Sequence, residues 1–195
     1  MRCLWLACAL LAAWALPAAA QTAAGRGAAL AEARGCGACH GEKGVSAMPE
    51  IPSLAGQQAG FITLQLVLFR EGLRDVPVMA EAVEGLGDSE LEDLSAHFAA
   101  LPHAPPPERA RRRDADYESG AALVSQLRCG ICHLSSLAGQ NQVPHIAGQR
   151  EDFLAATLRA YRDDRRQGSD TQMNGVMRGV KDSDIDAIAH YLSQR

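Results

Sequence analysis

Residues 25–101 and 118–195 carry the same landmarks in the same order. Gly27-Ala28-Ala29-Leu30 returns as Gly120-Ala121-Ala122-Leu123, and Cys36-Gly37-Ala38-Cys39-His40 returns as Cys129-Gly130-Ile131-Cys132-His133. Pro52-Ser53-Leu54-Ala55-Gly56-Gln57 is answered by Pro144-His145-Ile146-Ala147-Gly148-Gln149, and Phe61 by Phe153. Met79 and Asp88-Ser89-Glu90-Leu91 recur as Met173 and Asp182-Ser183-Asp184-Ile185. The offset drifts only between 92 and 94 residues, so the chain is a tandem duplication of one small domain and not a short-period solenoid.

The periodicity inside each copy is helical. Leu91, Leu94, Phe98 and Leu101 are spaced for one helix face, and Ile185, Ile188 and Leu192 repeat that spacing. Phe61, Leu64 and Leu68 predict a middle helix, as do Leu154, Leu158 and Tyr161. Ser89 with Glu92, and Ser183 with Asp186, read as capping boxes opening the last helices. No stretch alternates as a strand would. The expected fold is all-α: two domains, 21–101 and 118–195, each a few helices joined by long loops that need an organising centre. Between them, residues 102–117 contain Pro105-Pro106-Pro107 and Arg111-Arg112-Arg113, which read as a solvated linker; a docking site for an acidic partner is the alternative.

Residues 1–20 begin with Arg2, continue through a short apolar stretch and end in Ala18-Ala19-Ala20, the pattern of a cleaved secretory signal peptide. The apolar run is shorter than the ~20 residues that span a bilayer. A retained anchor, with peripheral membrane association, is the other reading. Cleavage would remove Cys3 and Cys8, leaving Cys36, Cys39, Cys129 and Cys132, and would move the formal net charge from −4 to −5. That balance gives no sign of a nucleic-acid partner.

Cys-x-x-Cys-His is the attachment pattern of a c-type haem. Cysteines three apart on a helical turn point the same way, so their sulfurs can form thioethers to the two vinyl groups of one porphyrin. The adjacent histidine then reaches the iron. A zinc site would need further soft ligands that the mature chain does not offer. A thioredoxin-like pair would require a strand-rich fold, and two local disulfides would leave both histidines without a role. A haem also supplies the centre of a domain of roughly 80 residues, a size at which apolar burial alone is marginal.

The second axial ligand of each iron is expected from Met79 and Met173, which hold the same register in the two copies. Met48 has no counterpart, and Met177, which aligns with Val83, stands in for Met173. A thioether favours ferrous iron and completes six-coordination, leaving no open position for a substrate. Pro52 and Pro144 lie between motif and methionine in both copies, where their carbonyls could accept a bond from the histidine's second ring nitrogen. His97 and His190 are paired on the last helices and read as exposed surface histidines rather than ligands.

Taken together, the two Cys-x-x-Cys-His motifs, the Pro-x-Leu/Ile-Ala-Gly-Gln segments, the methionines and the helix starts make the chain resemble the di-haem class I cytochromes c of the c-four type. The resemblance implies two cytochrome c domains related by a pseudo-twofold axis, with haem propionates facing one another. It implies two covalent haems c, one held by Cys36, Cys39, His40 and Met79, the other by Cys129, Cys132, His133 and Met173. It also implies a periplasmic electron carrier, not an enzyme, working between a quinol-oxidising membrane complex and a terminal oxidase or reductase. The rival expectations are a cytochrome subunit of a dehydrogenase and a di-haem peroxidase. The second motif departs from the family in continuing His133-Leu134-Ser135 where the first has His40-Gly41.

Overall fold

The structure, a computed structural model, describes residues 21–166 and 171–195, so the expected signal peptide lies outside the described residues. Ten helices follow one another among these residues: α1 (Ala23–Ala33), α2 (Gly37–His40), α3 (Ala59–Arg70), α4 (Pro77–Val83), α5 (Asp88–Ala100), α6 (Asp114–Gln126), α7 (Gly130–His133), α8 (Glu151–Arg162), α9 (Thr171–Met177) and α10 (Asp182–Ser193). The last five repeat the first five in order and similar length. No strand forms among the described residues; Gln140 and Val143 make one isolated bridge.

In each half the last helix is the hub. α5 packs on α1 and α3, and α10 packs on α6 and α8. Leu91, Leu94 and Phe98 meet Ala31, Ile62, Leu66 and Phe69 in the first core. Ile185, Ile188 and Leu192 meet Val124, Leu154, Leu158 and Tyr161 in the second. Each such aliphatic or aromatic side chain contributes roughly 1.5–3 kcal/mol by leaving water. In α3 the most buried apolar positions are Ile62, Leu66, Leu68 and Phe69, while the expected Phe61 and Leu64 are only partly buried. Of the three residues that suggested the inward face, Leu68 lies in the core and Phe61 and Leu64 at its margin.

The Gly-Ala-Ala-Leu landmark marks where two backbones cross. A Cβ on Gly27 would stand 1.8 Å from the Asp93 carbonyl oxygen, and one on Gly120 would stand 2.1 Å from that of Ala187. Only a hydrogen allows the first helix to lie this close on the last. The N-caps of the last helices lie two residues before the serines assigned to that role. Gly87 and Lys181 are the N-cap residues, and Glu90 Oε2 accepts from the Gly87 N–H at 2.9 Å.

The arginine-rich connection is not a free linker. Arg109 donates to the Ser193 carbonyl at 3.3 Å, Gln194 Nε2 donates to the Ala110 carbonyl at 3.0 Å, and Arg112 stacks on Tyr117. The Arg113 backbone N–H donates to His190 Nε2 at 2.9 Å. Because a backbone N–H can only donate, His190 carries its proton on Nδ1 and gives it to Glu151 Oε2 at 2.9 Å. His190, expected on the surface, is fully buried beneath this strap, whereas its counterpart His97 is only partly buried.

Two outcomes follow from these contacts. Gly120→Ala is expected to cost about 3 kcal/mol or more in denaturant unfolding, because backbone and not a flexible side chain blocks the methyl. Glu151→Ala leaves His190 and Arg113 short of an acceptor. It should cost about 1–3 kcal/mol and speed tryptic cleavage at Arg111 and Arg112, followed by gel or mass spectrometry.

Candidate haem sites

α2 and α7 are single helical turns that bring each Cys-x-x-Cys-His motif against its own core. The Cys36 N–H donates to the Ala31 carbonyl at 3.0 Å and the Cys129 N–H to that of Val124 at 3.1 Å, closing α1 and α6 directly into the motif. His40 and His133 return N–H bonds of 3.0 Å to the carbonyls of Cys36 and Cys129. No disulfide joins any two of the four motif cysteines. The first of each pair packs on the core, and burial pushes the Cys36 and Cys129 thiols up.

Both histidines are buried, and each ring is oriented by a proline carbonyl: His40 Nδ1 to Pro52 at 2.9 Å, and His133 Nδ1 to Pro144 at 2.9 Å. The carbonyl can only accept, so Nδ1 carries the proton and Nε2 presents a lone pair. Burial pushes the His40 pKa down, with the Pro52 bond opposing it, which favours the neutral imidazole that a metal requires. Met79 and Met173 each occupy the third position of their short helix and lie partly buried against their unit's core. Met177 is 2% exposed, as is Val83 at the equivalent helix end, so Met177 fills the core.

The loops after the histidines reach the same hydrogen bonds by different chemistry. Gly41 and Gly44 have φ of 81° and 70°; their counterparts Leu134 and Leu137 have φ of 65° and 63°. A Cβ on Gly41 would lie 2.1 Å from the Val45 carbonyl oxygen, so the first loop requires glycine. The second loop carries leucines in a conformation that costs an L-residue about 1–2 kcal/mol. Leu137 offsets this by burial to 3% exposure, while Leu134 stays 36% exposed.

A second paired feature lies where the halves meet. Arg74 stacks on Phe69 and Arg166 on Tyr161, at equivalent positions in the repeat. Arg74 Nη1 and Arg166 Nη2 both donate to Gln65 Oε1, at 2.7 and 3.2 Å. Burial pushes the pKa of both guanidinium groups down, and for Arg74 the charge of Arg166 adds to it. No carboxylate pairs with either among the described residues, and Arg166 Nε and Gln65 Nε2 are buried without a partner. Buried cations with orphaned donors call for an anion. A haem brings two carboxylates, so thiol pair, imidazole, thioether and guanidinium together fit its donor and charge requirements. Sequence reasoning missed these arginines. The available signal was the repeat itself, which sets each five residues after an aromatic.

The family model described as cytochrome c matches residues 117–195. Cytochrome c4 of Pseudomonas aeruginosa is 31% identical over 182 residues, covering 90% of this chain and 89% of the relative. The thiosulfate dehydrogenase electron acceptor of Stutzerimonas stutzeri is 31% identical over 178 residues, covering 86% and 82%. The crystal structure of reduced cytochrome c4 from Pseudomonas stutzeri superposes with a TM-score of 0.77 at 28% identity, covering 86% of this chain and 95% of that one. The chain belongs to the cytochrome c4 family: an all-α, di-haem c-type cytochrome that carries electrons and is not an enzyme.

The unequal loops make a test. Gly41→Ala should cost about 2 kcal/mol or more in unfolding free energy, whereas Leu134→Gly should change it by no more than about 1 kcal/mol, since relief of strain offsets lost burial and added chain entropy.

Proposed function

We propose that the domains 21–101 and 118–195 each hold one haem c, with 102–117 strapping the second. In this reading Cys36, Cys39, His40 and Met79 serve the first haem, and Cys129, Cys132, His133 and Met173 the second. The single observation behind it is the repeated constellation: a buried histidine held by a proline carbonyl, with a half-buried methionine at the third position of the same short helix in both units. The core position of Met177 favours Met173 over it as the second distal ligand. When bound, each haem would supply a one-electron ferrous/ferric couple. The chain's own part is to close both axial positions and to set the charge around them, with Arg74 and Arg166 partnering the haem carboxylates. With a histidine and a methionine both committed to each haem, no position would be left for a substrate, and each site would be suited to outer-sphere electron transfer.

The proposed setting is the periplasm, after cleavage of residues 1–20, with a quinol-oxidising membrane complex as donor and a terminal oxidase or reductase as acceptor. Among the described residues no helix is long and apolar enough to cross a membrane. A second reading, electron acceptor for a dehydrogenase, is favoured by the similarity to the thiosulfate dehydrogenase electron acceptor. Stopped-flow reduction by each candidate donor separates the two.

Carbon monoxide added to the reduced, haem-loaded protein should leave both absorption spectra unchanged; rapid binding at either iron would overturn the ligand assignment. Met79→Ala and Met173→Ala should each open one iron to carbon monoxide and lower its potential, with covalent attachment intact. Met177→Ala should instead cost about 2–5 kcal/mol of stability and leave both irons closed.

A further inference from the structure

The Pro-x-Leu/Ile-Ala-Gly-Gln segment ends in a glutamine in both copies, and each glutamine reaches across the interface. Gln57 Nε2 donates to the His145 carbonyl at 2.9 Å, and its Oε1 accepts from the His145 N–H at 2.7 Å. Gln149 Nε2 donates to the Ser53 carbonyl at 2.9 Å, and its Oε1 accepts from the Ser53 N–H at 2.9 Å. Gln57, Gln149 and Ser53 are all buried. Each Oε1 also accepts the N–H of the following residue, Gln58 or Arg150, so backbone donors fix which end of each amide is oxygen.

Ser53 and His145 directly follow Pro52 and Pro144. The N–H taken by each glutamine therefore belongs to the same peptide group as the carbonyl that orients the haem histidine. One unbroken path runs from His40 Nδ1–H to the Pro52 carbonyl, through that peptide to the Ser53 N–H, and on to Gln149 Oε1. Its mirror runs from His133 Nδ1–H through the Pro144–His145 peptide to Gln57 Oε1. Hydrogen bonds in series through a peptide polarise one another, more so where water is excluded.

We propose that Gln57 and Gln149 are crossed positioning residues, each setting through one peptide group the electron-donating strength of the proximal histidine in the other unit. The sign follows from the polarisation. An acceptor on the peptide N–H makes the proline oxygen more negative, which draws more strongly on Nδ1–H and makes the imidazole a stronger donor. A stronger donor favours ferric iron, so each glutamine lowers the potential of the opposite haem. A clamp acting only as glue would disturb the loop it holds without giving neutral and charged replacements shifts of opposite sign. The inference rests on His40 and His133 being the proximal ligands.

The test uses the full-length, haem-loaded protein, with redox titrations in which the two haems are resolved by their assigned heme-methyl NMR resonances. Gln57→Met keeps length and volume but removes the acceptor. It should raise the potential of the haem at His133, a several-fold shift in its one-electron equilibrium, move the His133 Nδ1–H resonance toward a weaker bond, and leave the haem at His40 unmoved. Gln149→Met should do the reverse. Gln57→Glu and Gln149→Glu, measured where the carboxylate is ionised, retain an acceptor of greater negative charge and should shift the same haems the opposite way. The proposal is overturned if the near haem responds, if both or neither respond, or if Met and Glu variants shift a haem in the same direction. Should the methionine variants fail to mature, the glutamate pair decides alone by the same crossed criterion. Absence of a coordinated-imidazole signature for His40 or His133 in the NMR spectrum of the unmodified protein would defeat the ligand reading itself, whereas an intact His/Met spectrum with uncrossed shifts would defeat only this inference.

Discussion

The bond from each buried histidine to a proline carbonyl is the constraint around which both halves are arranged. A buried imidazole with no fixed partner would be free to rotate or to present the wrong nitrogen. Tying Nδ1 down settles tautomer and ring plane together. It also settles where the loop must go, since residues 41–52 have to bring Pro52 back beside His40, and residues 134–144 have to do the same for Pro144. Backbone bonds hold those loops at matching places: Leu54 and Ala55 donate to the Gly44 carbonyl, and Ile146 and Ala147 to that of Leu137. The left-handed conformations at Gly41 and Leu134 are the backbone cost of making that return so soon after a helical turn.

Much of this was legible in the sequence because duplication acts as an internal control. A single methionine says little, but Met79 and Met173 share one register, each in the first turn of a short helix, whereas Met48 has no counterpart in the second copy and Met177 fills the core. The proline carbonyls were legible for the same reason. What escaped was whatever depends on the angle between elements. Spacing could not tell that α3 turns Ile62 and Leu66 inward ahead of Phe61 and Leu64. Nor could it tell that the strap from 102 to 113 lies over His190, because that contact joins positions 77 residues apart through one backbone N–H. Both serine caps were misplaced by two residues; at the first, Glu90 acts from inside the helix on the Gly87 N–H, a bond that needs no side chain at the cap.

The paired arginines show how a cofactor is written into the protein that receives it. Two guanidinium groups buried side by side, sharing one amide oxygen, would be a net cost in a chain meant to stand alone. Their placement at equivalent positions of the repeat, each stacked on an aromatic ring, means that both units present the same charge to the interface. Carboxylates of a bound haem would relieve two desolvated cations at once and so would couple charge neutralisation to the packing of the halves. That would give each domain, too small to bury a generous apolar core, a further source of stability.

Duplication also explains why the two sites need not behave alike. The interface hydrogen bonds are reciprocal, Gln57 to His145 and Gln149 to Ser53, yet the surroundings differ. His145 stacks on His103, which in turn bonds the Ala147 carbonyl, whereas Ser53 receives no such ring and uses its hydroxyl to accept the Ser46 N–H. The loops differ as well, glycines on one side and strained leucines on the other. A symmetric exchange of clamps laid over asymmetric loops gives two haems a common connection without giving them a common environment. For a carrier that takes up and releases one electron at a time, that combination lets the occupancy of the two irons be ordered while the units remain a single structural body.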